Sequence, residues 1–342
     1  MIGTFKRVFF FPVAYYFAFF ARIKLLSWKP KVIVVTGSSG KTGLLNLIES
    51  QIGNQARYSH RANSSIGIPF DILGLKRNTL LFWEWPKLFI LAPLVLFRKS
   101  NKQKIYVAEA DCDRPGEGKF LANLLNPHIV LWTNATRTHS ANFDRTVKDG
   151  KFKTVDGAIA YEFGFFAEKA KELCVVNKDS KSIEKQLERV KAKIIKISRK
   201  ELLGYQISTN GTEFSTSDRR YGFSCLLPEE FFYSIAFTNQ LLNYLSFRNS
   251  YNYSSFTLPP GRSSLFKGIK NTLLLDSTYN ANLSSMRAIL NLFGSIAAKE
   301  KWAVHQVFLA HRMGRLEVGE TSLILFVVAP HRREAFAGQQ VA

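Results

Sequence analysis

Acidic residues are scarce in this 342-residue chain: 26 Asp and Glu stand against 47 Lys and Arg, a formal charge of +21. That imbalance disfavours cationic partners and favours nucleotides, phosphorylated substrates, nucleic acid or an acidic membrane surface. Cysteine is scarcer still. Cys112, Cys174 and Cys225 are far apart and in no ligand spacing, which speaks against a disulfide framework or a zinc site and for a reduced, cytoplasmic setting. A clean spanning run is also lacking near the N-terminus: Val8 to Ala21 gives 14 apolar residues, against the roughly 20 a transmembrane helix needs. No small-residue cleavage site follows it, which disfavours a secretory leader. Lysine, common in the body of the chain, is absent from Val304 onward.

What is present reads as globular. Apolar residues make up 46% and charged residues 21%, enough for one large or two medium domains. Nine of the 29 phenylalanines gather in two apolar stretches, 6–28 and 80–104, each flanked by basic residues. Pro86 and Pro93 break the second as a spanning helix. Residues 1–30 therefore read as a hydrophobic, basic segment lying in an interface, with Trp28 and the lysines at headgroup depth. The competing reading is a helix packed on the protein's own core. The first places the protein peripherally on the inner face of the plasma membrane.

From residue 31 the pattern alternates. Strands are expected at 32–36, 104–111, 128–135 and 173–177, with helices at 116–125 and 152–172. This predicts an α/β fold, a mostly parallel sheet flanked by helices, with a small β-rich subregion near 178–225 where "STNGTEF" signals a hairpin. A further strand runs into the polar loop 277–282, and a helix is expected from Ser284 to Phe293. Ligands of such sheets collect beyond the strands' carboxyl ends, so Gly37–Thr42, Glu109–Asp113 and Asn134–His139 are expected to converge. Residues 304–342 show no clear period and read as an aberrant or frameshifted terminus.

"VIVVTGSSGKTGLLNLIES" carries the clearest chemistry. A strand, the turn Gly37-Ser38-Ser39-Gly40-Lys41-Thr42 and a helix follow one another, the context in which backbone N–H groups cradle phosphates. Lys41 would reach the β/γ-phosphates and the Thr42 hydroxyl would hold magnesium. Glu109 begins an acidic trio with Asp111 and Asp113 at a strand end, natural magnesium ligands beside a triphosphate and equally natural as a solvated acidic loop. His139 follows another strand. "LPPGRSS" aims Arg262 from a rigid turn, a geometry suited to phosphate, and Asp276 ends a strand before "TYNAN".

Together these segments resemble the ATP-dependent Mur ligases of cell-wall synthesis, most nearly the MurF type. "TGSSGKT" is similar to the family's TG-T-N-GKT loop and "NSSIGIPFDIL" (63–73) to its "IGVP" segment. "VAEADCDRPGEGKF…NPHIVLWTNATRTHSANF", "CVVNKDS" and "PPGR…LLLDSTYNANLSSMRAIL" follow in order, so the resemblance covers roughly residues 31–303. It implies that Lys41 and Thr42 bind ATP phosphates and Mg2+, and that Glu109 and His139 hold a second Mg2+. Arg262 and Asp276 would contact nucleotide, with Tyr279, Asn280 and Asn282 on the adenine and ribose side. Asn239 and Asn243 stand for the adenine segment, and Asn63 and Ser64 for the substrate side. The implied reaction phosphorylates the carboxylate of a UDP-muramoyl peptide with ATP, after which an amine such as D-Ala-D-Ala displaces phosphate.

The chain departs from the family pattern at Thr136, Ala141, Leu283 and near Phe163, where many members carry a metal-bridging lysine. On this alignment the family's UDP-binding domain has no counterpart before residue 31, and 304–342 reads as a truncated remnant of its C-terminal domain. Three alternatives stand beside the ligase: a non-catalytic, membrane-associated nucleotide-binding scaffold, a folate polyglutamylase, and a nucleic-acid-binding ATPase. "GKT" and "YNAN" argue against the second, and no nucleic-acid motif supports the third.

Overall fold

β-Branched and apolar runs between polar turns build the strands of the first half of the chain. In chain order the elements are α1 (Ile2–Trp28), β1 (Lys31–Thr36), α2 (Lys41–Ile52), β2 (Ala56–Tyr58), α3 (Gly67–Leu73), α4 (Glu84–Leu94), β3 (Ile105–Ala110), α5 (Glu117–Leu125) and β4 (Ile129–Trp132). They continue with α6 (Asp144–Lys148), α7 (Val155–Glu168), β5 (Leu173–Asn177), α8 (Lys181–Glu184) and β6 (Lys193–Ile197). Then come β7 (Gly204–Ser208), β8 (Gly211–Ser215), β9 (Arg220–Phe223), α9 (Phe232–Tyr244), β10 (Ser264–Lys267), β11 (Leu273–Asp276), α10 (Leu283–Lys299), β12 (Gln306–His311) and β13 (Leu323–Val328). The computed structural model describes residues 2–60, 62–78, 83–98, 101–136, 142–208, 210–248, 251, 253, 256–259, 262, 264–267, 273–276, 283–299, 306–311 and 323–328. They fall into two units: Met1–Glu201 with Phe232–Ser250, and Leu202–Phe231 with Tyr251–Ala342.

The first unit is built on a six-stranded sheet in the order β2-β3-β1-β4-β5-β6. Every neighbouring pair in it is parallel. Parallel sheets are covered on both faces, and β4 and β5 are buried along their whole length. Side chains alternate between faces. Val32, Val34, Tyr106, Ala108, Val130, Trp132, Cys174 and Val176 join the core formed with α1, α3, α5 and α7. Their neighbours Ile33, Val35, Val107 and Leu131 are equally buried and point the other way, where α2 packs on α9.

Most expected elements are present, with shifted bounds. The long helix expected at 152–172 starts at Val155, because the Thr154 hydroxyl accepts the Gly157 N–H and caps it. The expected strands contract to Ile105–Ala110 and Ile129–Trp132, while 173–177 stands as read. β2 and β6 were not foreseen.

The second unit carries the β-rich subregion. β7, β8 and β9 form an antiparallel sheet whose first turn lies at the expected hairpin, with Ser208 opposite Gly211. Its core is aromatic: Phe223 stacks on Tyr253 at 5.0 Å between centroids and meets Phe231 and Phe256 edge-on or tilted. Leu292 of α10 packs with Ile207 and Leu226. The helix expected from Ser284 is therefore real and longer than read. β10 pairs with β11, and β12 with β13, both antiparallel, so the stretch read as lacking a period contains two paired strands.

Candidate nucleotide-binding site

The glycine turn lies where β1 ends and α2 begins, at the carboxyl edge of the sheet. Two of its residues have backbone angles that side chains disfavour: φ is 128° at Gly37 and 79° at Gly40. Gly37 is also pressed against the loop after β4. A Cβ there would clash with the Thr133 hydroxyl and come within 2.8 Å of the Asn134 carbonyl oxygen. A Cβ added at Gly40 would meet nothing within 4 Å. One glycine thus closes the turn on the protein and the other leaves it open.

Hydrogen bonds hold the turn in shape. The Asn134 carboxamide accepts the Ser39 N–H at 2.9 Å and donates to the Ser39 carbonyl and hydroxyl oxygens. The Thr133 hydroxyl donates to the Ser39 carbonyl at 2.7 Å. The Ser38 hydroxyl donates to the Thr136 carbonyl and accepts the Thr136 N–H. Sequence reading placed this loop in the crevice without giving Thr133 or Asn134 a task; the signal was there in two small polar residues directly after a strand.

Lys41 opens α2, and it is 6% exposed. Its ammonium donates to the Gly37 carbonyl oxygen at 2.6 Å and pairs with Asp111 Oδ2 at 2.8 Å. Burial alone would pull its pKa down. The summed attraction of Asp111, Glu109 and Asp113, with the hydrogen bond to Asp111, outweighs burial and raises it, so Lys41 stays charged. An ammonium has three donors, and two are used among the described residues. The next residue turns toward β3: the Thr42 hydroxyl lies 3.0 and 2.9 Å from the two oxygens of Glu109. The Glu109 N–H is held by the Ser59 hydroxyl, a support that sequence reading missed.

Asn63 reaches this edge through its backbone, its carbonyl accepting the Asp111 N–H at 2.9 Å, while the Ser64 hydroxyl accepts the Gly67 N–H at the start of α3. Beyond Asp113 the chain enters α5, and two buried acids hold its approach and its first turn. Glu117 accepts the Asp113 N–H, and Glu162 of α7 accepts the N–H groups of Gly116 and Gly118. Burial raises the pKa of both carboxyls, although hydrogen bonds and nearby arginines oppose it. Burial, with Glu162, Asp111 and Glu117 close by, also pushes the Cys112 thiol well up, which keeps it protonated and unreactive. Phe163, beside Glu162, is wholly buried.

The structure therefore brings together Gly37, Ser38, Ser39, Gly40, Lys41, Thr42 and Glu109, with Asn63 adjoining through Asp111. Asn239 is half-buried and Asn243 exposed on α9, the helix that packs against α2. Arg262 is half-buried just before β10, and Asp276 closes β11 opposite Ser264, both in the second unit. His139, Tyr279, Asn280 and Asn282 lie outside the described residues. Among the described residues no three His, Cys, Asp or Glu side chains converge as a metal cage.

Two family models match the sequence: the Mur ligase middle domain over residues 35–234, and the MoaE protein over residues 275–342. The UDP-N-acetylmuramoyl-tripeptide–D-alanyl-D-alanine ligase of Buchnera aphidicola from Acyrthosiphon pisum is 22% identical over 325 residues, 86% of this chain and 60% of that protein. The chain thus spans about three fifths of the length of this relative. The MurF ligase of Thermotoga maritima, solved in complex with ADP, superposes with a TM-score of 0.64 at 20% identity, covering 82% of this chain and 61% of that one. At the other end, the molybdopterin synthase catalytic subunit of a Nostoc strain is 45% identical over 56 residues, 16% of this chain and 34% of that protein. The stretch set apart by its missing lysines is thus similar to a second family. The Mur model covers more than half of the sequence, its glycine turn and most of its sheet, and the chain belongs to the Mur ligase middle domain family.

Proposed function

We propose that residues 31–303 form the ATP-binding core of a MurF-type carboxylate–amine ligase, joining an amine such as D-Ala-D-Ala to the carboxylate of a UDP-muramoyl peptide. The observation that carries the reading is Lys41: a buried ammonium tied to the Gly37 carbonyl and Asp111, with one donor left over among the described residues, at the start of a helix behind a glycine turn. Such a group clamps phosphate oxygens, and the N-terminus of α2 adds its dipole. Thr42 and Glu109 present hard oxygen donors side by side, the chemistry Mg2+ selects, and they would hold the ion. The ion would neutralise charge on the transferred phosphoryl group.

The reaction asks for position and charge neutralisation more than for a side-chain nucleophile. The chain's residues serve that need. Thr133 and Asn134 fix the shape of the turn before phosphate arrives, Asn134 accepting the Ser38 and Ser39 N–H groups. Asp111 holds Lys41 without consuming its last donor. Arg262 and Asp276 are assigned to nucleotide, with His139, Tyr279, Asn280, Asn282, Asn239 and Asn243, and Asn63 and Ser64 to the carboxylate substrate. The MoaE-like terminal stretch has no role in this reading.

The test is phosphate release from ATP and Mg2+ on adding UDP-muramoyl tripeptide and D-Ala-D-Ala, with Lys41→Ala as the control. Release that needs both substrates and Lys41 supports the ligase; ATP binding unchanged in Lys41→Ala defeats the site. A second reading, nucleotide binding without ligation, draws on Phe163, buried near the place where the family resemblance puts a metal-bridging lysine. It predicts Lys41-dependent ATP binding with no phosphate release.

A further inference from the structure

The N-terminal helix has two unlike faces. Ala14, Phe17, Ala18, Ala21, Leu25 and Trp28 of α1 are buried in the main core. The Trp28 indole N–H donates to the Gln103 carbonyl, and Lys24 donates to the Arg98 carbonyl at 2.7 Å. The stretch Phe10–Trp28 is long and apolar enough by composition to cross a membrane, yet 33% of it is buried. A helix committed to the core along one side, with polar ties at its end, is not free to cross a bilayer.

Its other face is bare. Tyr15, Phe19, Arg22 and Leu26 recur every three or four residues and are exposed, Phe19 by 60%. α4 and its flanking residues repeat the pattern with Trp83, Lys87, Ile90, Leu94 and Phe97, Trp83 being 69% and Phe97 89% exposed. The two helices are locked together on their inner sides. Tyr16 donates to the Phe89 carbonyl at 2.8 Å, and the Tyr16 and Phe17 rings lie 4.8 and 5.1 Å from that of Phe89. Both exposed stripes thus point away from one shared core. An apolar face of this kind is uncommon on a protein that meets only water.

Charge says what covers it. Residues 2–28 contain no Asp or Glu, and 83–98 contain one, Glu84, which faces Arg77. Arg22, Lys29, Lys87 and Arg98 are exposed among or beside the aromatic rings. Aromatic and aliphatic side chains interleaved with cations alone fit the boundary of an anionic bilayer, where rings enter the headgroup region and cations stay at its surface. We propose that the outer face of α1 and α4 docks this protein on an anionic lipid surface, lying on the bilayer rather than crossing it.

Flotation of the full chain with phosphatidylcholine vesicles, with and without phosphatidylglycerol, tests this. Binding should require phosphatidylglycerol and weaken as salt rises past the range where the Debye length falls to about 8 Å. Ile90→Glu/Phe97→Glu should cut binding by at least about tenfold while thermal unfolding stays near that of the parent, and Lys87→Glu/Arg98→Glu should lower it as well. Equal binding to both vesicles, or undiminished binding by the Ile90/Phe97 variant, overturns the proposal. So does self-association abolished by that variant in a chain that ignores vesicles, which would make the face a contact between copies.

Discussion

Lys41 Nζ, at the start of α2, and Asp111 Oδ2, just past the end of β3, lie 2.8 Å apart, with side chains 7% and 14% exposed. A buried pair of this kind is weak as a source of stability but costly to halve, since removing one partner strands the other's charge. Asp111→Asn is therefore expected to destabilise the first unit by about 3 kcal/mol, with Glu109 and Asp113 limiting the loss. Lys41→Met/Asp111→Leu, which removes both charges, should regain most of that stability and bind no nucleotide. Chemical denaturation of the parent and both variants checks the order.

Gly37 and Gly40 should part company under substitution. At Gly37 an added methyl meets Thr133 and the Asn134 backbone, and φ is 128°, so Gly37→Ala must open the turn and lose nucleotide affinity. Gly40→Ala has room and pays only for its left-handed φ of 79°, about 1–2 kcal/mol. Calorimetric titration with ATP and Mg2+ measures the contrast; equal losses at both positions would mean that the neighbouring loop does not shape the turn.

The glycine turn, its strand and its helix were legible because a single local pattern carries them. The same holds for β5, five buried residues between polar flanks. β2 was not legible: Ala56–Tyr58 has three residues and is a strand only because β3 lies beside it. β6, "KIIKI", hides its pairing with β5 behind two lysines at an edge, where exposure tolerates charge. Ser59 acts through a distance that no spacing in the chain encodes. Glu162 left one trace, a lone acid within the apolar run "AIAYEFGFF". Such an acid requires a partner, and the partner turned out to be the start of α5.

Thr42 and Glu109 test the metal reading. Glu109→Gln keeps the shape of the side chain and an acceptor for the Thr42 hydroxyl, so thermal stability should change little. Interactions with charged groups contribute about 1.5–3 kcal/mol each, so Mg2+-dependent ATP affinity should fall by about 10–100-fold. ATP binding measured with Mg2+ and with EDTA separates the effects. A variant that loses affinity equally in both would place Glu109 outside the metal's reach.

Glu162 should make the first unit's stability depend on pH in the sense opposite to an ordinary ion-paired acid. Its pKa is raised, first by burial, against the N–H groups of Gly116 and Gly118 that favour the charged form. The folded state then holds a proton that the unfolded state has released, so stability is fully present below about pH 4.5 and declines as pH rises through the folded pKa. Glu117 adds to the same slope, its pKa also raised by burial. Glu162→Gln should flatten part of that decline, and Glu162→Gln/Glu117→Gln most of it. Glu162→Ala, which leaves the two N–H groups at the head of α5 without an acceptor, should cost about 1–3 kcal/mol at every pH. Urea denaturation between pH 4 and 8 reads all three; a parent whose stability rises across that window would show that these carboxyls are ionised without penalty and that α5 is held from elsewhere.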